Sequence, residues 1–433
     1  MALPKAKDDA LAARLAVLPS LSDTGWLAAA RAEARTRLSA MGLPVRRDEY
    51  WRYTDPASLV AADAPVAARF DAGDEAPVFA AIDRLKLVFV DGVFDPAQSD
   101  DLALAGVEIE RLATAGATDI HWAQGLYGVL EARGQTPVHR PLAALATAQA
   151  TDGVLIRVTG RAARPVSLIY VHDSDTSDAI LHHCVRLEKG ASLTLLENGP
   201  AAARFTKVLE VEVGDGAAFH HVRMQGRDHA RRAATHIFAR LGSDAEFRSF
   251  TLTANGRLTR NEAVIELAGP NSRAHVAGAA VGDGEFHHDD TVFVTHAAHS
   301  CESRQVFKKV LMNGAVGVFQ GKILVKPGAQ KTDGYQISQS LLLDEDSQFL
   351  AKPELEIYAD DVKCSHGSTS GAIDETALFY LQSRGVPRKT AQGLLVLAFL
   401  AEAIEEVADD AIAEDIRGRL EGWLARHSAK AGT

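Results

Sequence analysis

The chain has 433 residues, 47% of them hydrophobic and 24% charged, which exceeds one compact domain and excludes a disordered or linker protein. Its net charge of -11 argues against a nucleic-acid surface, which rests on clustered Lys and Arg. Three cysteines, Cys184, Cys301 and Cys364, odd in number and far apart, indicate a reducing compartment, read as cytoplasmic, and not a disulfide framework.

At the start of the chain, Lys5 and Lys7 are followed by Asp8, Asp9 and Arg14, which interrupt any apolar core of a signal peptide. The longest apolar run, Leu394 to Ala401, is too short to span a bilayer, so no membrane partner is expected. Asp23 or Thr24 is placed to cap a helix, WLAAARAEARTRLSAM, which puts Leu27, Ala34, Leu38 and Met41 on one face and stops at Gly42 and Pro44. In RRDEYWRYTD, Arg46 to Asp55, the aromatics Tyr50, Trp51 and Tyr53 are expected to dock that helix onto a body. Ala-rich helical pieces then alternate to about residue 150 with one hairpin, KLVFVDGVF, turning at Asp91-Gly92.

From Gly153 the texture changes to short alternating strands separated by Gly or Asp turns. CVRLEKGASLTLLE, VLEVEVGDGAAFHHVR, HIFARLGSDAEFRSFT and VIELAGPNSRAHVAG carry turn anchors Gly190, Gly216, Asp244 and Ser272, which recur every 26 to 28 residues. A fixed period of that length predicts coils stacked on one another, a β-solenoid, with a two-sheet sandwich or cupin-like barrel as the alternative. Gly314 and Ser347, more widely spaced, are read as anchors of the same array with insertions. Three His pairs, His182-His183, His220-His221 and His287-His288, lie in these strands. Neighbours in a strand face opposite ways, so no pair chelates one metal, though one His of each could line a common face as in a cupin metal enzyme.

Near the end of the array, Leu355, Ile357 and Ala359 alternate with Glu354, Glu356 and Tyr358, as in a half-buried strand that meets a polar turn at Asp360 and Asp361. Cys364 and His366 follow, two apart and so on one face of an extended chain, and Gly367 permits a tight turn or a close approach. Thiolate and imidazole suit iron. Residue types alone equally allow a packed Cys and a hydrogen-bonded His, and a C-x-H pair fills only half a coordination sphere. If the pair binds, its other ligands come from elsewhere. Asp374 then caps ETALFYLQSRG, and Pro387 opens a longer helix with Leu394, Leu397, Leu400, Ile404 and Val407, before a last amphipathic piece ending near Trp423. That broad apolar face either caps the solenoid or receives a partner. There is neither a phosphate-binding G-x-x-x-x-G-K-[ST] loop nor a G-x-S-x-G elbow, so neither ATPase nor serine-hydrolase chemistry is expected of this chain.

FQGKILVKPGAQKTDGYQISQSLLL from Phe319, AKPELEIYADDVKCSHGSTSG, LFYLQSRGV, the WRYTD segment and LAALATAQATDGVLIRV from Leu142 together resemble the SufB/SufD family of iron-sulfur cluster assembly scaffolds. Modest length, the WRYT-type segment and the lack of a cysteine-rich N-terminal part resemble the SufD branch more than the SufB branch. The resemblance implies a right-handed parallel β-helix core, residues 151–370, flanked by a mixed helical region, 1–150, and a C-terminal helical region, 371–433. It further implies a non-catalytic subunit that pairs core to core with a SufB-like paralogue, docks a SufC-like ABC ATPase through the C-terminal helices, and forms a homodimer when alone. Cys364 and His366 fall on the family's functional positions, at the subunit junction where a nascent iron-sulfur cluster forms. Reduced flavin is associated with such complexes, with no residue assignable to it. Cys184 and Cys301 match no family position. A stand-alone cupin-like metal enzyme using the solenoid histidines is the competing expectation.

Overall fold

In the computed structural model of the chain, residues 5–21, 24–69, 73, 76–226 and 229–430 are described. The N-terminal part supplies helices α1 (Lys5–Val17), α2 (Leu27–Met41), α3 (Ala57–Val60), α4 (Leu112–Ala115), α5 (Val129–Arg133) and α6 (Pro141–Gln149). It also supplies strands β1 (Leu85–Val90), β2 (Val93–Phe94) and β3 (Val107–Arg111). The solenoid then runs β4 (Val154–Val158), β5 (Val166–Val171), β6 (Asp178–Leu187), β7 (Ser192–Asn198), β8 (Arg204–Val213) and β9 (Ala218–Gln225). It continues as β10 (Arg232–Leu241), β11 (Glu246–Ala254), β12 (Leu258–Leu267), β13 (Arg273–Asp283), β14 (His287–His296) and β15 (Glu302–Met312). Its last strands are β16 (Val316–Val325), β17 (Thr332–Leu342), β18 (Gln348–Ile357) and β19 (Val362–Gly371). Helices α7 (Glu375–Ser383), α8 (Arg388–Ile404) and α9 (Asp410–Lys430) close the chain.

Odd-numbered strands build a ten-stranded sheet from β19 down to β1 and β2, and even-numbered ones a nine-stranded sheet from β18 down to β4 and β3. Every pairing within the stack is parallel, and only β1 with β2 and β3 with β4 are antiparallel. The fold is a β-solenoid, not a barrel or sandwich. Its strand pairing also begins upstream of residue 151, because β1 and β3 cover the first coil.

The period has a concrete cause at one corner of each coil. Gly190, Gly216, Asp244, Asn271, Ser300 and Lys331 all have positive φ. Gly190 through Ser300 each donate the N–H to the carbonyl just before the equivalent residue one coil on, as Gly190 to Asp215 (2.9 Å), Gly216 to Ser243 (2.8 Å) and Asp244 to Pro270 (2.9 Å), and Lys331 donates to the carbonyl of Asp361. Gly, Asp and Asn recur there because these residues tolerate the left-handed conformation best, and Ser300 and Lys331 adopt it in the last two turns of the series. The anchor expected at Ser272 is Asn271, with Ser272 donating its hydroxyl to the Gly269 carbonyl at 2.7 Å. Gly314 and Ser347 are not later members of that series. They sit at the opposite corner, where the Gly314 N–H donates to Ser347 Oγ at 3.3 Å, and the original series continues without interruption at Ser300 and Lys331.

The N-terminal helix ends as its sequence indicates, with Gly42 at φ 63° donating to the Leu38 carbonyl at 2.8 Å, and Leu27, Ala34, Leu38 and Met41 are buried. Its start differs. Trp26 occupies the cap position with no side-chain cap, so Thr24 plays no such part, and Asp23 lies outside the described residues. The hairpin turns at Asp91 and Gly92, both at positive φ. Asp374 caps α7 by accepting from the N–H groups of Thr376 (2.8 Å) and Ala377 (3.2 Å). The stripe on α8 is mostly consumed: Val396, Leu400, Ala403 and Ile404 pack with Ala277, Ala279 and Val306 of the solenoid, and Val407 lies past the helix end. No helix among the described residues is long and apolar enough to cross a membrane.

Inside the coils, apolar layers alternate with a polar file. Glu197 meets Lys207 and lies 3.1 Å from His221 Nε2. Arg223 donates to Asn261 at 3.0 Å, Asn261 lies 3.1 Å from His288, and Lys309 lies 2.7 Å from Asp290. His183, His221 and His288 thus have separate partners and do not converge on one centre, so these inward histidines do not form a cupin-like metal site. Burial pushes His183 down to about 3, and His236 and His296 down to about 4, so all three are neutral at pH 7. An unfolded histidine takes up its proton as pH falls through about 6.5. Between that value and the folded ones the unfolded state therefore binds more protons, and stability falls by about 1.4 kcal/mol per pH unit for each such histidine. Thermal melting should drop progressively from pH 7 to pH 5, well above the carboxylate range. A melting temperature that stays level over that interval would refute the neutral-histidine core.

Candidate functional site

Among the described residues, no further strand covers the C-terminal end of the solenoid. Strands β18 and β19 are the outermost members of their sheets, so both carry an unpaired backbone edge at the same end of the body. β18 runs to Ile357 and the chain reverses through residues 358–361, where the Asp361 N–H donates to Gln330 Oε1 at 2.8 Å. The expected half-burial holds for Leu355 but not for Ile357, which is 40% exposed, because no further coil covers it. Gly367 makes no turn. It lies within β19, and a Cβ added there would meet nothing within 4 Å.

Cys364 and His366 both belong to β19, in register with Gly334 and Gln336 of β17. Cys364 is half-buried beside Ile323, Val325 and Val362, and its Sγ lies 3.3 Å from where a Cβ on Gly334 would stand. Burial first, then the charge of Asp333, pushes its thiol above the ordinary range, and a hydrogen bond involving the Gly334 backbone partly opposes this. It is therefore protonated at neutral pH and becomes a thiolate ligand only as a metal displaces the proton. His366 is exposed. It is the outermost member of a register column with Gln305 and Gln336, whose side chains are fully buried with neither amide atom hydrogen-bonded. The polar file of the interior thus extends to just beneath His366.

Neither Cys364 nor His366 belongs to a group of three metal donors among the described residues. Ser365 has no geometry of a nucleophile with its base, since strand neighbours face opposite ways. Cys301 is buried, with Sγ 3.4 Å from the Gly269 carbonyl. Cys184, which the sequence left unassigned, is brought beside His182 and Glu210. A grid read at the coil period would have found this contact, because Cys184 and Glu210 are register partners 26 residues apart.

The WRYTD segment braces the outer face of the sheet that ends at β18. Arg260 lies over the Trp51 ring at 4.1 Å, Thr54 donates to Asp289 at 2.6 Å, and the Tyr50 ring meets Phe293 edge-on. The Tyr50 hydroxyl donates to Glu354 of β18, and Lys352 bridges to Glu49 at 2.6 Å over the Tyr50 ring. Tyr50 and Trp51 are buried and Tyr53 partly so, as docking residues should be.

The thiol and the imidazole thus stand on the last, open-edged strand of a parallel solenoid and not in an enclosed pocket. Residues 170–399 match the family described as SUF system FeS cluster assembly, SufBD core domain. The chain is 28% identical over 398 residues to the iron-sulfur cluster assembly protein SufD of Escherichia coli K12, covering 89% of this chain and 90% of that protein. It is 27% identical to a SufBD family protein of Synechocystis, covering 87% and 86%, and 28% identical to SufD of Bacillus subtilis, covering 58% and 59%. The chain belongs to the SufB/SufD family of iron-sulfur cluster assembly proteins, and within it is SufD-like.

Replacing Trp51 by Ala should cost about 3–5 kcal/mol, since it removes a buried ring and uncovers the Arg260 guanidinium. Denaturant unfolding of the full chain checks this. A loss below about 1 kcal/mol would show that the segment is not a brace.

Proposed function

We propose that the chain is the SufD-type subunit of a SufBCD-like complex, which builds iron-sulfur clusters de novo in the cytoplasm and passes them on. Two open edge strands at one end of the solenoid, bearing Cys364 and His366, support this reading most directly. An unpaired edge is a template for another strand, and a SufB-like paralogue of the same fold presents a matching one. In the chain alone the same edges favour a homodimer. Iron and sulfide are cargo here: Cys364 contributes a thiolate once metal displaces its proton, His366 contributes a neutral imidazole, and the partner supplies the rest of the sphere. Residues 1–150 brace the body, 151–370 carry the junction, and 371–433 hold the ATPase. Reduced flavin would accompany the complex, with no residue of this chain assigned to it.

Substituting His366→Ala or Cys364→Ala in the reconstituted complex should lower cluster content about tenfold or more while leaving thermal melting unchanged. Full content in both variants would remove the pair from the mechanism. Lost content with a lowered melting point would mean that the pair only packs.

The ATPase contact is assigned to the apolar residues that the solenoid leaves uncovered on α7 and α8. Phe379 is 72% exposed, Tyr380 57% and Leu394 47%, whereas Leu400, Ile404 and Trp423 are buried. Phe379→Glu or Leu394→Glu should weaken capture of a SufC-like ATPase about 30-fold, the loss of one hot-spot residue. Undiminished capture across both variants would place the contact elsewhere.

A further inference from the structure

A second set of donors lies far from the open edge, beneath the N-terminal helices. His182 and Cys184 point from the same face of β6, and Glu210 on β8 is the register partner of Cys184. Glu210 Oε2 lies 2.9 Å from His182 Nε2 and 3.9 Å from Cys184 Sγ. All three side chains are fully buried, and their ligand atoms fall within 4.8 Å of one another. The Tyr127 ring stacks on His182 at 4.0 Å and closes the group from solvent.

Charge bookkeeping singles this cluster out. The other buried carboxylates among the described residues, Glu131, Asp152, Glu197, Glu262, Asp289 and Asp290, each form an ion pair with a Lys or Arg. Glu210 pairs with neither. It accepts from the N–H groups of Gly128 (2.6 Å) and Glu131 (2.7 Å), which orient it without supplying a full positive charge. Its side-chain partners are an imidazole and a thiol. A buried carboxylate is stable when it is paired or when it coordinates a metal, and the two neighbours are themselves metal donors.

We propose that His182, Cys184 and Glu210 supply three protein ligands to a borderline divalent cation, of which Zn²⁺ is the fitting example. Thiolate and carboxylate together balance its two charges, and the imidazole adds a neutral donor. Donors at about 2.0–2.3 Å from a tetrahedral ion stand about 3.5 Å apart, between the two separations seen here. On binding, Cys184 loses its proton to solvent and His182 gives up its hydrogen bond to Glu210. The ion would tie two coils of the solenoid together directly under α5 and α6.

The test uses the full chain in a Cys364→Ser, His366→Ala background, so that the open edge contributes no metal. Purified from zinc-replete medium, it should hold about one equivalent of Zn²⁺, and cobalt-grown protein should show a near-ultraviolet thiolate-to-cobalt band. Cys184→Ser should abolish that band while Cys301→Ser keeps it. Chelation should lower the melting temperature of the parent and leave Cys184→Ser unmoved. If Cys184→Ser does not fold, metal content and chelator response of the parent decide the matter. A folded parent with less than about a tenth of an equivalent of either metal, or a cobalt band that survives Cys184→Ser, would overturn the site, leaving a hydrogen-bonded His182–Glu210 pair in its place.

Discussion

The hydrogen bond from a left-handed corner residue to a carbonyl one coil away holds the rest of this molecule in place. It repeats from Gly190 through Lys331, and it fixes the height of each coil against the next. With the corners pinned, strands pair residue for residue, as His182 with Val208 and Gln336 with His366. Side chains therefore stack in columns, and a residue's neighbours are set by the coil period more than by its place along the chain. A slip of one residue would turn every buried side chain of that strand outward.

This geometry explains what could be read from the residues and what could not. The coils were legible because one corner is filled by Gly, Asp, Asn or Ser in most turns and so leaves a recurring mark, Lys331 being the exception. Asn271 was displaced to Ser272 because both residue types suit a turn, and only the backbone reveals which one is left-handed. Gly314 and Ser347 were misread as later anchors of the same series because a solenoid has a second corner with the same demands, and a linear scan merges the two. β1 was legible as one arm of a hairpin, but its pairing with β5, and β3 altogether, were hidden by the helices that separate them from the array. The terminal pair was legible from a motif, but its open surroundings were not, since exposure depends on the absence of a further coil. Ile357 shows this: its alternation is that of a half-buried strand, yet nothing lies above it.

The interior polar file raises a separate energetic question. Pairs such as Glu197 with Lys207 and Asp290 with Lys309 are costly to desolvate, and apolar replacements would often be as stable. Their effect is on uniqueness. An entirely aliphatic column tolerates sliding by two residues, whereas a Lys that must meet a Glu in the neighbouring coil does not. Charged layers thus complement the corners in selecting one register.

Because coils add in whole numbers, the body works as a ruler. The nine-stranded sheet takes seven steps from β4 to β18, and at about 4.8 Å per step the two lie about 34 Å apart. The helices that cover β6 stand six steps, about 29 Å, from the open edge at β18, and the stacked strands between them hold that separation. Loss or gain of one coil would shift one end by a single step and rotate little else, so the reach of the scaffold can change only in increments of one strand spacing.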